Sequence, residues 1–268
     1  MNKAAHSVEP LNDDVVTICA ISILAGMIAD VLHEGVGHAL LALLLGANSG
    51  VLTTVAWSSA FDSRLVAAGG TLVNLFAGIA FWLILRSARN VSANTRFFLL
   101  MGCAFNLFTG TGYFFFSGVT NFGDWADVIA PMRLHSLWRS LLILVGMASY
   151  YGAVVLVGTS VVRYLAVPLS AGSRVRRVLW WPYFSAIALS VAGGLLNPIG
   201  IQLMWQSALP ASAGANSGLL WLRYYVPDST APERTPLPIE RSYPWIVMSL
   251  LCALIFIFVL GRGITLHR

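Results

Sequence analysis

The most constraining feature of this chain is an apolar run from Val15 to Gly46 with four ionisable side chains in its middle. As a helix at 1.5 Å per residue the run would be about 48 Å long, more than the ~30 Å hydrocarbon core of a bilayer, so it must tilt, protrude or break. A lipid-facing surface does not tolerate Asp30, His33, Glu34 and His38, so this part of the run must face other protein.

Further apolar stretches follow at about 65–85, 97–117, 141–162, 178–204 and 244–261. Hydrophobic residues make up 57% of the 268 and charged ones 10%, against about 25% charged in a soluble domain. That balance excludes a disordered chain, a nucleic-acid-binding arm and an ordinary cytosolic enzyme. It predicts an all-α polytopic membrane protein with about six transmembrane helices. Residues 47–63, rich in Ser, Thr, Val and Ala, predict a short extended hairpin or re-entrant element after the first helix. Pro198 is expected to kink the fifth helix. Five prolines between 207 and 243 predict a long loop whose LLWLRYYV stretch lies in the membrane interface. The chain thus divides into a polar tail (1–14), a three-helix core (15–135) and an additional three-helix region (136–268).

Residues 1–14 are polar and net acidic, and no small-residue cleavage site closes the first apolar run, so a retained helix is expected rather than a signal peptide. Fifteen of the sixteen basic residues are Arg, and they sit between the apolar runs, as membrane-flanking anchors do. Counting them over six crossings favours both termini in the cytoplasm, and the excess of Arg over Lys in a compact chain points to a bacterial inner membrane. The expected partners are the bilayer and a membrane protein or peptide substrate, with no nucleic acid; the oligomeric state is not legible. Cys19, Cys103 and Cys252 have no metal or redox spacing and read as small buried hydrophobes.

On a regular helix Asp30, His33, Glu34, Gly37 and His38 fall within an arc of about 140°, opposite Val31, Leu32, Val36 and Leu40. One polar stripe of two imidazoles and two carboxylates inside an apolar helix is expensive unless something satisfies it, and a divalent cation would satisfy several groups at once. The segment is similar to the zinc motif H-E-x-x-H, in which two His one turn apart bind metal and the Glu is a general base. Here the His residues are five apart, reading H-E-G-V-G-H. Two arrangements reconcile that spacing with a site. A π-bulge, eased by Gly35 and Gly37, can absorb the extra residue. Alternatively Glu34 and His38 ligate, and His33 works from behind them.

With those residues, the chain resembles the site-2-protease-type intramembrane zinc metalloproteases. His33-Glu34 followed by Gly37-His38-Ala39-Leu40 is similar to the family's H-E-x-G-H-A-L with one residue inserted. Residues 67–78, including Gly69, Gly70 and Asn74, are similar to its A-G-P-x-x-N-x-x-x-A element, with Gly70 where Pro is usual. Asn106 with Gly123-Asp124 is similar to its N-x-x-P…D-G element. The likeness covers roughly residues 15–130. It implies a zinc ion held by His33, His38 and Asp124, with Asp30 and Asp127 as competing third ligands. It further implies Glu34 as general base, and Asn74 or Asn106 as a substrate or oxyanion contact unless they only pack helices. Two other functions fit the same stripe: a non-proteolytic scaffold or pseudo-protease of that descent, and a transporter using Asp30, Glu34 and His38 as an ion site.

Overall fold

The computed structural model describes residues 12–167, 169, 172–198, 202, 204–226, 230–233 and 235–268; most of the polar tail expected over 1–14 lies outside them. Helix α1 (Val15–Asp30) begins where the Asp14 carboxylate accepts the Thr17 N–H at 2.8 Å, satisfying one of the donors that a helix start leaves unpaired. It runs unbroken into a π-helical segment, Val31–Leu40, and then into α2 (Leu41–Leu45), which Gly46 ends at φ 119. After a small hairpin come α3 (Arg64–Ser87), α4 (Ala93–Thr120), the short α5 (Asp124–Ile129) and α6 (His135–Leu165). Then follow α7 (Gly172–Gly194), α8 (Gly218–Trp221) and α9 (Tyr243–Ile255), the last continued by a π-helical turn to Leu260.

Five of these helical runs are long and apolar enough to cross a membrane: Val15–Leu45, Arg64–Ser87, Ala93–Thr120, His135–Leu165 and Tyr243–Leu260. The chain is a multi-pass helical membrane protein. The crossing expected at 178–204 falls on a helix with different bounds, Gly172–Gly194. That helix is α7, it is not among the five, and it starts among Arg174, Arg176 and Arg177 and carries Trp180, Trp181 and Pro182. It ends at Gly194, ahead of Pro198, so Pro198 kinks no helix. The loop expected from residue 207 is also corrected. Residues 204–224 wind into short π, 3₁₀ and α turns. Pro210 sits at the first position of one of them, where its missing N–H costs nothing. Leu219 and Leu222 of the LLWLRYYV stretch are fully buried in the core, while Tyr224 and Tyr225 are exposed.

The expected hairpin is present as β1 (Ser49–Leu52) and β2 (Trp57–Ser58), antiparallel, with Thr53 Oγ1 accepting the Val55 and Ala56 N–H groups in the turn. A third strand was not anticipated: β3 (Ile264–His267) pairs with the other edge of β1, Ser49 opposite His267. The first and last spans therefore end side by side. They also start side by side, since the Asp14 N–H donates to the Ile239 carbonyl at 2.8 Å. The two spans run in the same direction, and β3 lies on the face of the bundle opposite the start of α1.

Helix α4 is the central post, with Phe97, Leu100, Met101, Phe105 and Phe108 essentially inaccessible. One hydrophobic cluster joins it to Ile18 and Ile21 of α1, Val154 and Val157 of α6, Val178 of α7 and Leu219. Residues from both 15–135 and 136–268 thus share a single core. The π segment and α3 come into direct backbone contact. A Cβ placed on Gly37 would overlap the backbone of Gly70, so backbone meets backbone with no side chain between.

Candidate metal centre

The five-residue spacing of the two imidazoles is resolved by the helix itself. In a π-helix each N–H bonds the carbonyl five residues back, so side chains five apart stack as those four apart do in an α-helix. Within Val31–Leu40 the His33 and His38 rings come to 4.9 Å between centroids, edge to face. His33, Glu34 and His38 are all buried and face protein. The third group arrives from α5. Gly123, at φ 82, turns the chain so that Asp124 opens that helix. Its Oδ2 lies 3.2 Å from His33 Nε2 and 3.4 Å from His38 Nε2.

The hydrogen bonds behind the rings determine what faces the centre. His33 Nδ1 is 2.5 Å from Asn74 Oδ1. The Asn74 amide nitrogen donates to the Ala29 carbonyl at 3.0 Å and to Asn106 Oδ1 at 2.8 Å, so its oxygen must be the end that meets His33. His33 Nδ1 is then the donor. His38 Nδ1 is 2.8 Å from the Val66 carbonyl, which can only accept, so it too carries the proton. In each neutral imidazole the lone pair is left on Nε2. Two lone pairs and a carboxylate oxygen therefore face one another, and His33 Nε2 and Asp124 Oδ2 have no hydrogen-bond donor. With both rings neutral, three mutually facing acceptors are unfavourable unless a metal ion lies between them or one Nε2 takes up a proton and donates to Asp124. The donor atoms of His33, His38 and Asp124 lie within 4.8 Å of one another, and the group can hold a metal ion.

Glu34 stands beside this group. With His38 and Asp124 it lines a cavity of about 400 Å³ whose outer wall is Trp57, Ser58 and Asp62, and the Trp57 backbone N–H bonds its carboxylate. Of the two competing acids, Asp127 lines the outer part of that cavity. Burial and the charges of Asp124 and Asp62 push the Asp127 carboxyl above its usual range. Asp30, one turn before Glu34, is outside the three-residue group and borders a separate cavity. Asn74 and Asn106 are wholly inaccessible and spend their amides on His33, on each other and on the Ala29 and Gly102 carbonyls. These bonds orient His33.

Some contributors gave little sign in the sequence. Gly70 forms the floor of the centre: a Cβ there would overlap His38 Nε2 and sit 2.7 Å from His33 Nε2. The Gly69-Gly70 pair was visible, but not that both rings rest on it. Tyr113, with its ring 4.8 Å from that of His33, lies among many aromatic residues of α4 and had no distinguishing pattern. Comparison of the chain with known protein families, with curated proteins and with solved structures gave no match.

Proposed function

We propose that this protein is an intramembrane zinc-dependent peptidase acting on membrane-associated polypeptides. The observation that carries the reading is the pair of imidazoles held with Nε2 lone pairs toward Asp124, with Glu34 on the same cavity. Ligands about 2.0–2.1 Å from a tetrahedral zinc lie about 3.3–3.4 Å apart, which agrees with the 3.2 and 3.4 Å separations from Asp124 to the two rings. Two nitrogens and one carboxylate are a donor set suited to zinc with one position left open. Bound by His33, His38 and Asp124, zinc would supply Lewis acidity toward a water and a scissile carbonyl.

The remaining chemistry belongs to the chain. Glu34 accepts a proton from the attacking water and returns it to the leaving amine. Asn74 and the Val66 carbonyl hold the two rings in the required tautomer. The cavity admits water from the hairpin face while the rest of the centre stays enclosed by α3 and α4. A largely apolar cavity of about 500 Å³ between α4, α6 and residues 207–221 borders Tyr113, as the polar cavity does, and supports a substrate that comes from the membrane.

The pairing of the spans supports a reading of orientation. Arg241, joined to Asp14 at 3.0 Å, counts with the α1-start face, and Arg262 and Arg268 count with the hairpin face. The Arg residues then still favour the α1 start as cytoplasmic, with β3 and the mouth of the cavity on the other side.

The decisive experiment is metal content and cleavage measured on one preparation. The wild type should carry one zinc per chain and cleave reconstituted membrane peptides. His38→Ala should lose both properties, and Glu34→Gln should keep zinc and lose cleavage. Zinc without cleavage in the wild type would replace this reading with a binding scaffold, and ion flux across liposomes without cleavage would replace it with a transporter.

A further inference from the structure

One turn before Glu34, a second cavity of about 60 Å³ is lined by Asp30, His33 and Glu34 but not by His38 or Asp124. Its walls come from α1, the β1–β2 turn, α4, α7 and the wound segment 207–216. The polar groups around it are almost all oxygens, those of Thr54, Thr109, Ser190, Ser207, Ser212 and Asn216 among them, and no Lys or Arg borders it. Three of its lining residues each hold a buried oxygen without a hydrogen-bond partner: Asp30 Oδ2, Thr54 Oγ1 and Asn216 Oδ1. Thr54 and Asn216 are each 5% exposed. The direction of the Asn216 amide is fixed, because its nitrogen donates to the Ser212 carbonyl at 2.9 Å and leaves the oxygen as the free end. Unpaired acceptors gathered in a low-dielectric interior are unfavourable.

We infer that this cavity binds a hard monovalent cation, sodium, through Asp30, Thr54 and Asn216. All-oxygen donors select a hard cation over zinc, which prefers nitrogen and sulfur partners. Of the two carboxylates on the cavity, Glu34 also faces the His38–Asp124 cavity; Asp30 with neutral oxygens balances a single positive charge, and charge neutrality matters most at membrane depth. The space suits an ion with a few waters, since one water needs about 10–15 Å³ of such volume. The ion would tie α1, the β1–β2 turn and the 207–216 segment together behind Glu34. The three proposed sodium ligands lie outside the His33–His38–Asp124 group, although His33 and Glu34 border this cavity as well.

The test is thermal unfolding of the full chain in detergent, with NaCl replacing choline chloride at constant ionic strength. Sodium should raise the melting temperature saturably, by about 2–4 °C at roughly ten times the half-saturating concentration. Asp30→Asn should abolish the shift, and Thr54→Val and Asn216→Leu should weaken it; these two carry the test if Asp30→Asn does not fold. His38→Ala, free of zinc, should keep the full sodium shift, which separates failure at one site from failure at the other. Radioactive sodium should be retained at one ion per chain by the wild type only. The inference is overturned by an equal shift in every variant, by no shift in the wild type, or by Ca²⁺ or Mg²⁺ acting at lower concentration than sodium.

Discussion

Asn74 Oδ1 and His33 Nδ1 lie 2.5 Å apart, although 41 positions separate the two residues in the chain. The contact aims the lone pair of His33 into the centre, and partners of this kind typically account for about 10–100-fold in metal affinity. Asn74→Leu is expected to weaken zinc by that factor in a chelator competition titration. Asn106→Leu, one hydrogen bond further back, should have a smaller effect. Unchanged affinity in both variants would show that the rings are held by packing alone.

Gly70 is the position at which the smallest side chain should do the most harm. A Cβ there meets both imidazoles, and the neighbouring backbone of Gly37 leaves α3 no room to retreat. Gly70→Ala is expected to abolish metal uptake, read as zinc per chain after purification. Gly152→Ala, at a site with no atom within 4 Å of the added carbon, is the control and should bind normally.

Arg174 forks onto Asp13, with Nε to Oδ2 at 2.8 Å, and the Asp13 side chain is wholly shielded from solvent. Asp13 Oδ1 also accepts the Ile239 N–H at 2.9 Å, so the pair fastens α7 and the approach to α9 onto the start of α1. Breaking one partner of a buried pair leaves a stranded charge, at about 3–5 kcal/mol. Arg174→Ala should lose that much in denaturant unfolding, and the double replacement Asp13→Leu with Arg174→Met should recover most of it.

Asp14 makes stability depend on acidity. Its slight burial pulls the carboxyl up, but hydrogen bonds from Thr17 and Arg241 outweigh that and hold it below the usual 3.8. A carboxylate with a depressed folded value stabilises above its unfolded value, and that stabilisation is lost as pH falls through the folded one. The wild type should therefore lose melting temperature below about pH 4 more steeply than Asp14→Asn, which retains the cap without the charge.

The β1–β3 pairing brings the ends of the first and last apolar helical runs together. In a background with Cys19, Cys103 and Cys252 replaced, single cysteines at Ser59 and Arg268 should react with an impermeant maleimide from the same side of sealed vesicles. A cysteine at Ser242, beside the start of α1 through its bond to Thr17, should react only from the other side. Labelling of Ser242 and Arg268 from one side would contradict the parallel first and last spans.

The sequence was most informative where local periodicity met a costly group. His33, Glu34 and His38 announced a site because lipid cannot hold them, and their spacing called for a widened turn, which Val31–Leu40 provides. Asp124 could be named only through a resemblance, since nothing in its surroundings shows that Gly123 turns it toward two rings some ninety residues upstream. The β3 strand was illegible because four residues, Ile-Thr-Leu-His, are too short for a pattern and their partner is more than two hundred positions away. Residues 204–224 misled for a different reason. Proline reads as a breaker, yet Pro210 stands at the start of a turn, and burial of Leu219 and Leu222 outweighs local propensity.

The seam between Gly37 and the Gly69-Gly70 pair has a mechanical consequence. With no side chain to cushion it, the strip that carries both imidazoles is rigidly coupled to the helix that carries Asn74, and neither can slide without the other. The third donor arrives separately, on the six-residue helix that starts at Asp124 after the positive-φ Gly123. Any breathing that loads or empties the centre should therefore be a swing of the carboxylate arm against a fixed anvil of two rings.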